Sequence, residues 1–357
     1  MINNRVIYFF ILYTCLMNIF YIYYYTSKST KSVKESYPSV SFKLNSTDSY
    51  KSHYKIQNII ALVFYGRKKS ASILFRYLDR NLKINGGILD KIVIAVRTNK
   101  EQDLSYLESY LKANKNSKCC YETEHFPANV SYKILYKGLH DDDLVFKIDD
   151  DVVFISNGTF EKMLDEYLTK NHFILSANVV NHPQLSYAHA RLRAILPFYE
   201  VKQFVWEKSA NSSEEIDGTI AMGADYGPMS EWWRNPRCAA IAHESLLYHA
   251  SNNNLNVYDF RIWDFNTVEY HRWSINFIVM WGRYLNKLYL SYPDMKSDEV
   301  TLTVLIPKQM KKHSIALGSA LVAHFSYWSQ YFYLNKTDIL NKYERLSIDY
   351  LKLPSNN

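Results

Sequence analysis

Short apolar runs alternate with stretches of helical spacing over residues 58–180, and this alternation constrains the fold more than any other feature. Runs of four to eight residues rich in Val, Ile and Phe are typical of buried strands. Strands separated by helices favour βαβ units and a mostly parallel sheet of an α/β protein. The pattern predicts strands at residues 58–64, 89–96, 119–125, 145–155 and 173–180, with helices at 70–82, 104–111, 132–139 and 160–168.

The pattern is less regular beyond residue 183. Residues 197–240 contain several Trp, Pro and Gly residues without a clean period, which favours an insertion. An apolar segment at residues 273–290 is interrupted by Arg283 and Lys287, so we predict a buried helix there and not a membrane span. Further elements are predicted as helices at 239–250, 300–306 and 338–351 and a strand at 317–325.

Residues 6–25 are almost wholly apolar or aromatic, with four tyrosines near their end. Twenty helical residues span about 30 Å, the thickness of the hydrocarbon core of a bilayer. No small-residue cleavage site follows, so we predict a transmembrane signal anchor after a short tail of residues 1–5. Residues 26–55 are rich in Ser, Thr and Lys and are predicted to form a flexible stem. Residues 56–357 then form one globular domain.

Three consecutive aspartates stand inside the apolar run VFKIDDDVVFI at residues 145–155. A buried carboxylate is costly unless it is paired or bound to a metal. Because side chains alternate along an extended chain, we expect Asp149 and Asp151 on one side and Asp150 on the other. Two hard oxygen ligands suit Mg²⁺ or Mn²⁺. Asp149 and Asp151 are therefore predicted to bind a divalent metal that holds a diphosphate, and an acidic loop between two strands is the alternative.

Another acidic triplet, residues 141–143, stands at the other end of the same predicted strand. Eight extended residues at roughly 3.3 Å each separate the two triplets by about 25 Å. Ligands of α/β sheets collect at the carboxyl ends of the strands, which favours the second triplet as the functional one. We expect residues 141–143 to form a solvated loop.

The first two predicted strands end in Tyr65, Gly66, Arg67 and Arg97. Glycine permits close approach of the backbone, tyrosine can stack on a nucleobase, and arginine can bind phosphate in a bidentate manner. In a fold that binds a nucleotide diphosphate, these residues border the ligand together with Asp149 and Asp150. An ordinary strand-to-helix turn is the alternative.

Three residues late in the chain are further candidates. His324 follows an apolar run, and its imidazole could complete a coordination shell begun by the aspartates, although a satisfied core histidine is the alternative. Asp298 and Glu299 open a predicted helix, with Ser297 as a candidate cap. Either acid could be a general base, whereas acids in a first helical turn are also stabilised by the helix dipole without any catalytic role.

Charge and cysteine content exclude some classes of function. The net charge is +7, and Lys and Arg are dispersed without a long basic block, so a nucleic-acid partner has little support. The four cysteines form neither a CxxC nor a zinc pattern. A bridge between Cys238 and one of the adjacent residues Cys119 and Cys120 stays open.

The ordered segments FYGR, KIDDDVVFI, RWSINFIVMWG, SDEVTLTVLIP and ALVAHFSYWSQ together resemble a family of fungal, largely uncharacterised, single-pass membrane glycosyltransferases of the GT-A type. The resemblance runs from about residue 58 to the end. It implies a Rossmann-like GT-A fold with a mostly parallel central sheet and a nucleotide-sugar donor. It also implies Mn²⁺ or Mg²⁺ held by Asp149 and Asp151 and completed by His324, with an acid at Asp298 or Glu299 as the base.

The sequence thus predicts a membrane-anchored, metal-dependent and inverting glycosyltransferase that acts on a glycan or glycoconjugate acceptor. The alternatives are a nucleotidyltransferase of the same fold and a non-catalytic lumenal glycan-binding or scaffold protein. We expect a type II protein of the Golgi or ER membrane with a lumenal catalytic domain. This localisation follows from the predicted function and from five sequons, at Asn45, Asn129, Asn157, Asn211 and Asn335.

Overall fold

The computed structural model describes residues 44–127, 130–170, 172–195, 231–267, 269–291 and 297–352. The strands are β1 (Ile59–Tyr65), β2 (Lys91–Val96), β3 (Tyr121–His125), β4 (Leu144–Asp149), β5 (Val152–Ile155), β6 (Ile174–Val180), β7 (Ile262–Asp264), β8 (Phe277–Trp281) and β9 (Ser314–His324). The helices are α1 (Leu44–Tyr54), α2 (Lys68–Asn81), α3 (Glu101–Ala113), α4 (Ser117–Cys120), α5 (Thr159–Lys170), α6 (Leu185–Arg191), α7 (Pro236–Ser251), α8 (Gly282–Ser291), α9 (Asp298–Val300), α10 (Ile306–Met310), α11 (Trp328–Leu334) and α12 (Ile339–Lys352).

The described strands form one sheet in the order β3-β2-β1-β4-β8-β6-β9-β5, with β7 added on β9. Strand β1 is parallel to β2 and β4, and β2 is parallel to β3. Strand β8 runs antiparallel between β4 and β6, and β6 is again parallel to β9. The prediction of an α/β fold with a mostly parallel sheet is confirmed, and the order 3-2-1-4 is that of a Rossmann-like half.

The core lies on both faces of this sheet. Strand β1 reads IIALVFY and is buried along nearly its whole length, as expected for a parallel strand covered on both sides. Helix α2 packs one face against the sheet through Ile73, Leu74, Tyr77 and Leu78, the spacing from which the helix was predicted. The apolar periodicity therefore determines both the parallel strands and the helices that cover them.

The prediction was wrong at residues 273–290, where one helix was expected. Phe277–Trp281 forms strand β8, and a helix starts only at Gly282. A run that is apolar at every position carries no period, so a buried strand cannot be distinguished from a buried helix. A Cβ atom on Gly282 would lie 2.0 Å from the carbonyl oxygen of His140, so glycine permits this strand-to-helix turn to pack against the loop before β4.

The predicted stem was wrong at its carboxyl end. Residues 44–54 form helix α1, in which Tyr50 donates a hydrogen bond to Asp165 and Lys51 Nζ lies 2.8 Å from Asp90 Oδ2. The folded domain therefore includes residues before 56. Residues 1–43, which contain the predicted anchor, lie outside the described residues. Among the residues that are described, no helix is both long and apolar enough to cross a membrane.

The cysteine pairing differs from the bridge that the sequence left open. Cys119 and Cys120 are joined to each other in a disulfide at the end of α4. Cys238 lies buried in helix α7 and takes no part in that disulfide. Among the described residues, Cys238 therefore forms no bridge to Cys119 or to Cys120.

Candidate functional site

The three aspartates lie where the chain leaves one part of the sheet for another. The predicted single strand at residues 145–155 is broken into β4 and β5, with Asp150 and Asp151 in the turn between them. Strand β4 pairs with β1 and β8, whereas β5 pairs with β9. Aspartate is disfavoured inside strands, so the break falls at the residues least suited to continue the ladder.

Asp149, Asp151 and His324 each contribute one potential ligand atom, and these atoms all lie within 4.8 Å of one another. His324 ends β9 and is paired with Val152 of β5, which brings the imidazole next to Asp151. The distance from His324 Nε2 to Asp151 Oδ1 is 3.2 Å. The structure thus brings together the three residues that the sequence predicted as metal ligands.

The donor atoms of this cluster fit a divalent metal. Asp151 Oδ1 and His324 Nδ1 are both buried, and neither atom has a hydrogen-bond partner among the described residues. Buried polar atoms are normally hydrogen-bonded, and an unpaired carboxylate oxygen therefore indicates a place for a cation. Two carboxylate oxygens and one imidazole nitrogen suit Mn²⁺ better than a structural zinc.

Asp150 points away from this cluster and holds the turn after β1. Its carboxylate accepts hydrogen bonds from Gly66 N at 2.6 Å and from Arg67 Nε at 2.8 Å. The Arg67 guanidinium also donates to Asp151 Oδ2 at 2.8 Å through Nη1. Burial raises the pKa of Asp150 to about 6 although Arg67 lowers it. Burial also raises the pKa of Asp151, but Arg67 and His324 outweigh that effect and hold it below its usual range.

Lys147 and Asn276 fix the orientation of Asp149. Lys147 Nζ donates to Asp149 Oδ1 at 2.5 Å and to the Ile275 carbonyl oxygen at 2.8 Å. Asn276 Nδ2 donates to Asp149 Oδ2 at 3.0 Å. Lys147 was missed from the sequence although the alternation that places Asp149 on one face also places Lys147 there. Asn276 precedes β8, the strand that was predicted as helix, so no local signal indicated it.

The buried charges near the cluster do not cancel. Asp149, Asp150 and Asp151 supply three carboxylates, and the basic side chains in contact with them are Arg67 and Lys147. With all three carboxylates ionised, they outnumber these two basic side chains by one negative charge. A bound cation would compensate it, which agrees with the unpaired oxygen of Asp151.

A cleft of about 460 Å³ opens beside these residues and collects most of the predicted site. The predicted residues that line it are Tyr65, Gly66, Arg67, Arg97, Asp149, Asp150, Asp298 and Glu299. The sequence analysis missed other residues of the lining, among them Phe64, Tyr132, Lys147 and Arg272. The ends of the first two strands, the aspartate turn and the start of α9 therefore meet around one space, as a nucleotide site at this edge of the sheet requires.

The expected stacking role of Tyr65 does not agree with its position. Its side chain is only 1% exposed, its ring stacks on Phe75, and its hydroxyl donates to the Asp103 carbonyl oxygen at 2.6 Å. The ring that is available at the cleft is Tyr132, which is 41% exposed. The ring of Tyr132 stacks on Phe64, and the Arg97 guanidinium lies 4.0 Å from its centroid.

Packing within the protein does not require glycine at position 66, and the expected close approach of its backbone to a ligand stays a prediction. A Cβ atom at this position would meet nothing nearer than the Arg97 carbonyl oxygen at 3.7 Å, an ordinary contact. The role of Gly66 in this structure is to donate its backbone N–H to Asp150.

The adjacent acids Asp298 and Glu299 have different surroundings. Asp298 is buried and accepts hydrogen bonds from the Tyr136 hydroxyl at 2.9 Å and from the Glu299 backbone N–H at 3.0 Å. It therefore caps its own helix, and Ser297, the expected cap, makes no such bond. Glu299 accepts from Arg272 Nε at 2.6 Å, and burial raises its pKa although Arg272 lowers it.

The upstream triplet is only partly the solvated loop that was expected. Asp141 and Asp142 are exposed, and Asp142 Oδ1 lies 2.9 Å from Arg283 Nη2. Asp143 is buried, and its carboxylate accepts from Asn58 Nδ2 at 2.8 Å and from His140 N at 2.9 Å. The expectation was wrong for Asp143, because this carboxylate ties the loop to the start of β1.

No family model and no curated protein matches the chain. Among solved structures, the chain is similar to 4-diphosphocytidyl-2C-methyl-D-erythritol synthase from Anaerococcus prevotii, with 10% identity, a TM-score of 0.39 and coverage of 85% of this chain and 99% of that one. It is also similar to glucosyl-3-phosphoglycerate synthase from Mycobacterium tuberculosis in complex with Mn²⁺, UDP and glucosyl-3-phosphoglycerate. The identity is 14%, the TM-score is 0.30, and coverage is 44% of this chain and 56% of that one.

The chain thus spans about half the length of the mycobacterial structures that it matches. With TM-scores below 0.5, these similarities establish neither a family nor an activity.

Proposed function

We propose that this protein is a metal-dependent glycosyltransferase of the GT-A type that moves a sugar from a nucleotide-sugar donor to a glycan or glycoconjugate acceptor. The observation that carries the proposal is the cluster of Asp149, Asp151 and His324 at the carboxyl end of β4, with one carboxylate oxygen unpaired. The cluster adjoins the cleft that holds basic, aromatic and acidic side chains.

Asp149, Asp151 and His324 would hold Mn²⁺ or Mg²⁺. When bound, the ion supplies charge stabilisation to the diphosphate and to the leaving nucleotide. Arg97 would also stabilise the negative charge of the diphosphate. It lines the cleft, and its guanidinium donates to the Val130 carbonyl oxygen and not to the aspartates. The Tyr132 ring is 41% exposed at the cleft, and it is the proposed aromatic contact of the nucleobase.

Glu299 is the proposed general base. Its carboxylate takes the proton from the acceptor hydroxyl while the hydroxyl oxygen forms a bond to the anomeric carbon. The bond from the anomeric carbon to the diphosphate oxygen breaks in the same displacement, so the configuration inverts. Arg272 orients the Glu299 carboxylate before the reaction, whereas Asp298 is occupied by Tyr136 and by the helix start.

The membrane location is part of the same proposal. Residues 6–25 would anchor a single-pass type II protein in the Golgi or ER membrane with its catalytic domain in the lumen, and membership of the fungal family belongs to this proposal as well. Asn45 would then carry a glycan in a eukaryotic host, and endoglycosidase treatment would increase the mobility of the protein in a gel. A carboxyl terminus accessible to protease in intact microsomes would contradict the orientation.

The function is tested by hydrolysis and transfer assays on the full chain with a panel of nucleotide sugars, with and without Mn²⁺. We expect Mn²⁺-dependent release of a nucleoside diphosphate from at least one donor. Release of pyrophosphate from a nucleoside triphosphate and a sugar phosphate would indicate a nucleotidyltransferase instead. Donor binding in a thermal-shift assay without turnover on any acceptor would indicate a non-catalytic binding protein.

A further inference from the structure

A second pocket, of about 260 Å³, shares Gly66 and Arg67 with the cleft. We call it the basic pocket because Lys68 and Lys69 at the start of α2 and Lys100 before α3 line it. Phe325, the residue after His324, also lines it, so the pocket borders the proposed metal ligands. None of its three lysines has a part in the function proposed above.

In the part of the chain that the structure describes, no ion pair is found for Lys68, Lys69 or Lys100. Ion pairs are found there for other lysines, among them Lys51, Lys83, Lys91, Lys147 and Lys342. Asp103 is the one acid in the described lining, and its carboxylate is already used. It accepts from Lys68 N at 3.0 Å and from Thr98 Oγ1 at 3.5 Å, and it is buried.

The charge of the basic pocket therefore comes from side chains and not from the end of a helix. The Asp103 carboxylate accepts a hydrogen bond from the backbone N–H of Lys68 and so occupies a free donor of the first turn of α2. Arg67, the fourth cation of the lining, is held by Asp150 and Asp151. Among the described residues of the lining, Lys68, Lys69 and Lys100 therefore supply more positive charge than the one carboxylate of Asp103 can compensate.

Another part of the lining comes from helix α11 and the residue after it. Tyr331 and Asn335 line the pocket there. Tyr331 is 39% exposed, so its ring can pack against the apolar face of a ligand. Asn335 donates its amide to the Tyr331 carbonyl oxygen at 3.0 Å, which fixes its position. The pocket thus combines a cationic wall with an aromatic and polar one.

We propose that the basic pocket binds a phosphate monoester carried by the acceptor of the reaction. Several compact ammonium charges favour a compact dianion over a singly charged carboxylate, and lysine binds phosphate as a point charge. The assignment to the acceptor rests on the proposed function, whereas the binding of the anion does not. The phosphate belongs either to a phosphorylated saccharide or to a lipid phosphate headgroup, and both sources present the same group to the lysines.

The test is calorimetric titration of the full chain with glucose 6-phosphate, and with glucose as the probe that lacks the phosphate. We expect glucose 6-phosphate to bind and glucose not to bind. Lys69→Ala/Lys100→Ala should weaken binding about tenfold, because two exposed charge contacts are lost. Lys112→Ala/Lys115→Ala is the matched control, since it removes the same charge from exposed lysines at the other end of α3.

A second arm uses phosphatidylcholine vesicles with and without phosphatidic acid in a flotation assay. Lysine-dependent binding to phosphatidic acid, without binding of glucose 6-phosphate, supports the proposal and assigns the phosphate to a lipid. The proposal is overturned if neither probe binds, or if the pocket and control variants weaken binding equally. Mn²⁺-dependent donor hydrolysis without binding of either probe would overturn the basic pocket alone, whereas phosphate binding without hydrolysis would overturn only the transferase.

Discussion

The two acidic triplets at the ends of β4 have the same composition but differ in their surroundings. In residues 141–143, Asp142 is 58% exposed and its partner Arg283 is 41% exposed. In residues 149–151, the Asp151 side chain is 1% exposed and lies between Arg67 and His324. A solvated ion pair is worth little, whereas buried carboxylates require compensation by charge or by a metal. Asp143 is buried as well, but its carboxylate accepts hydrogen bonds from Asn58 and His140, so the unpaired buried oxygen of Asp151, and not the number of acids, distinguishes the site from the loop.

The largest expected effect contrasts Asp151→Asn with Asp142→Asn. The first change keeps the shape of the side chain but removes the charge of a proposed metal ligand, so transfer should fall by about 10²-fold or more. The second removes one partner of an exposed ion pair and should leave transfer unchanged. Turnover and Mn²⁺-dependent donor binding of both variants provide the measurement. Equal behaviour of the two would show that the site does not lie at the second triplet.

A second pair of acids with different surroundings is Asp298, which accepts from Tyr136, and Glu299, which accepts from Arg272. Glu299→Gln should lower turnover by about 10²–10⁴-fold with donor affinity kept, whereas Asp298→Asn still accepts the Tyr136 hydroxyl and should cost much less. Because burial raises the pKa of Glu299 above its ordinary 4.5, the base ionises only at higher pH. The acidic limb of the kcat profile should therefore lie above pH 4.5 and disappear in Glu299→Gln. If neither variant loses tenfold, the base lies elsewhere or the reaction retains configuration.

The arginines that serve the two triplets should differ in their effect on stability. Arg67→Gln leaves the buried Asp150 and Asp151 without their cation and should lower the free energy of unfolding by about 3 kcal/mol. This is the lower end of the usual range, because the Arg67 side chain is 36% exposed. Arg283→Gln should cost less than about 1 kcal/mol. Urea unfolding measures both, and an equal loss would contradict the importance of burial.

The smallest effect lies within the first triplet. Asp143→Ala leaves Asn58 Nδ2 and His140 N without their acceptor and should cost about 1–3 kcal/mol of stability. Asp142→Ala is the control and should stay within about 0.5 kcal/mol of the parent. Neither change should alter kcat at a temperature where both variants are folded. A loss of turnover in folded Asp143→Ala would give the first triplet a catalytic part.

The sequence predicts the parallel half of the sheet well because its elements are local and periodic. Strand β1, helix α2 and the positions of the aspartates follow from apolar spacing alone. Apolar spacing does not show which side of β1 faces the cleft. Phe64 and Tyr65 point to opposite sides of the strand, and only the packing of α2 decides which ring is buried. Asn276 and Arg272 also belong to the site, although both are more than 100 positions along the chain from Asp149. No local sequence pattern indicates that they lie near it.

The turn of Asp150 and Asp151 has a consequence for how this chain can vary. It is the whole connection between β4 and β5, although these strands stand four places apart in the sheet order. One residue inserted there would turn every side chain of β5 to the opposite face and shift Val152 away from His324. A change in this turn would therefore alter both the distance between the two proposed carboxylate ligands and the pairing of β5 with β9. Insertions that enlarge the protein are tolerable in its surface loops but not at this dipeptide.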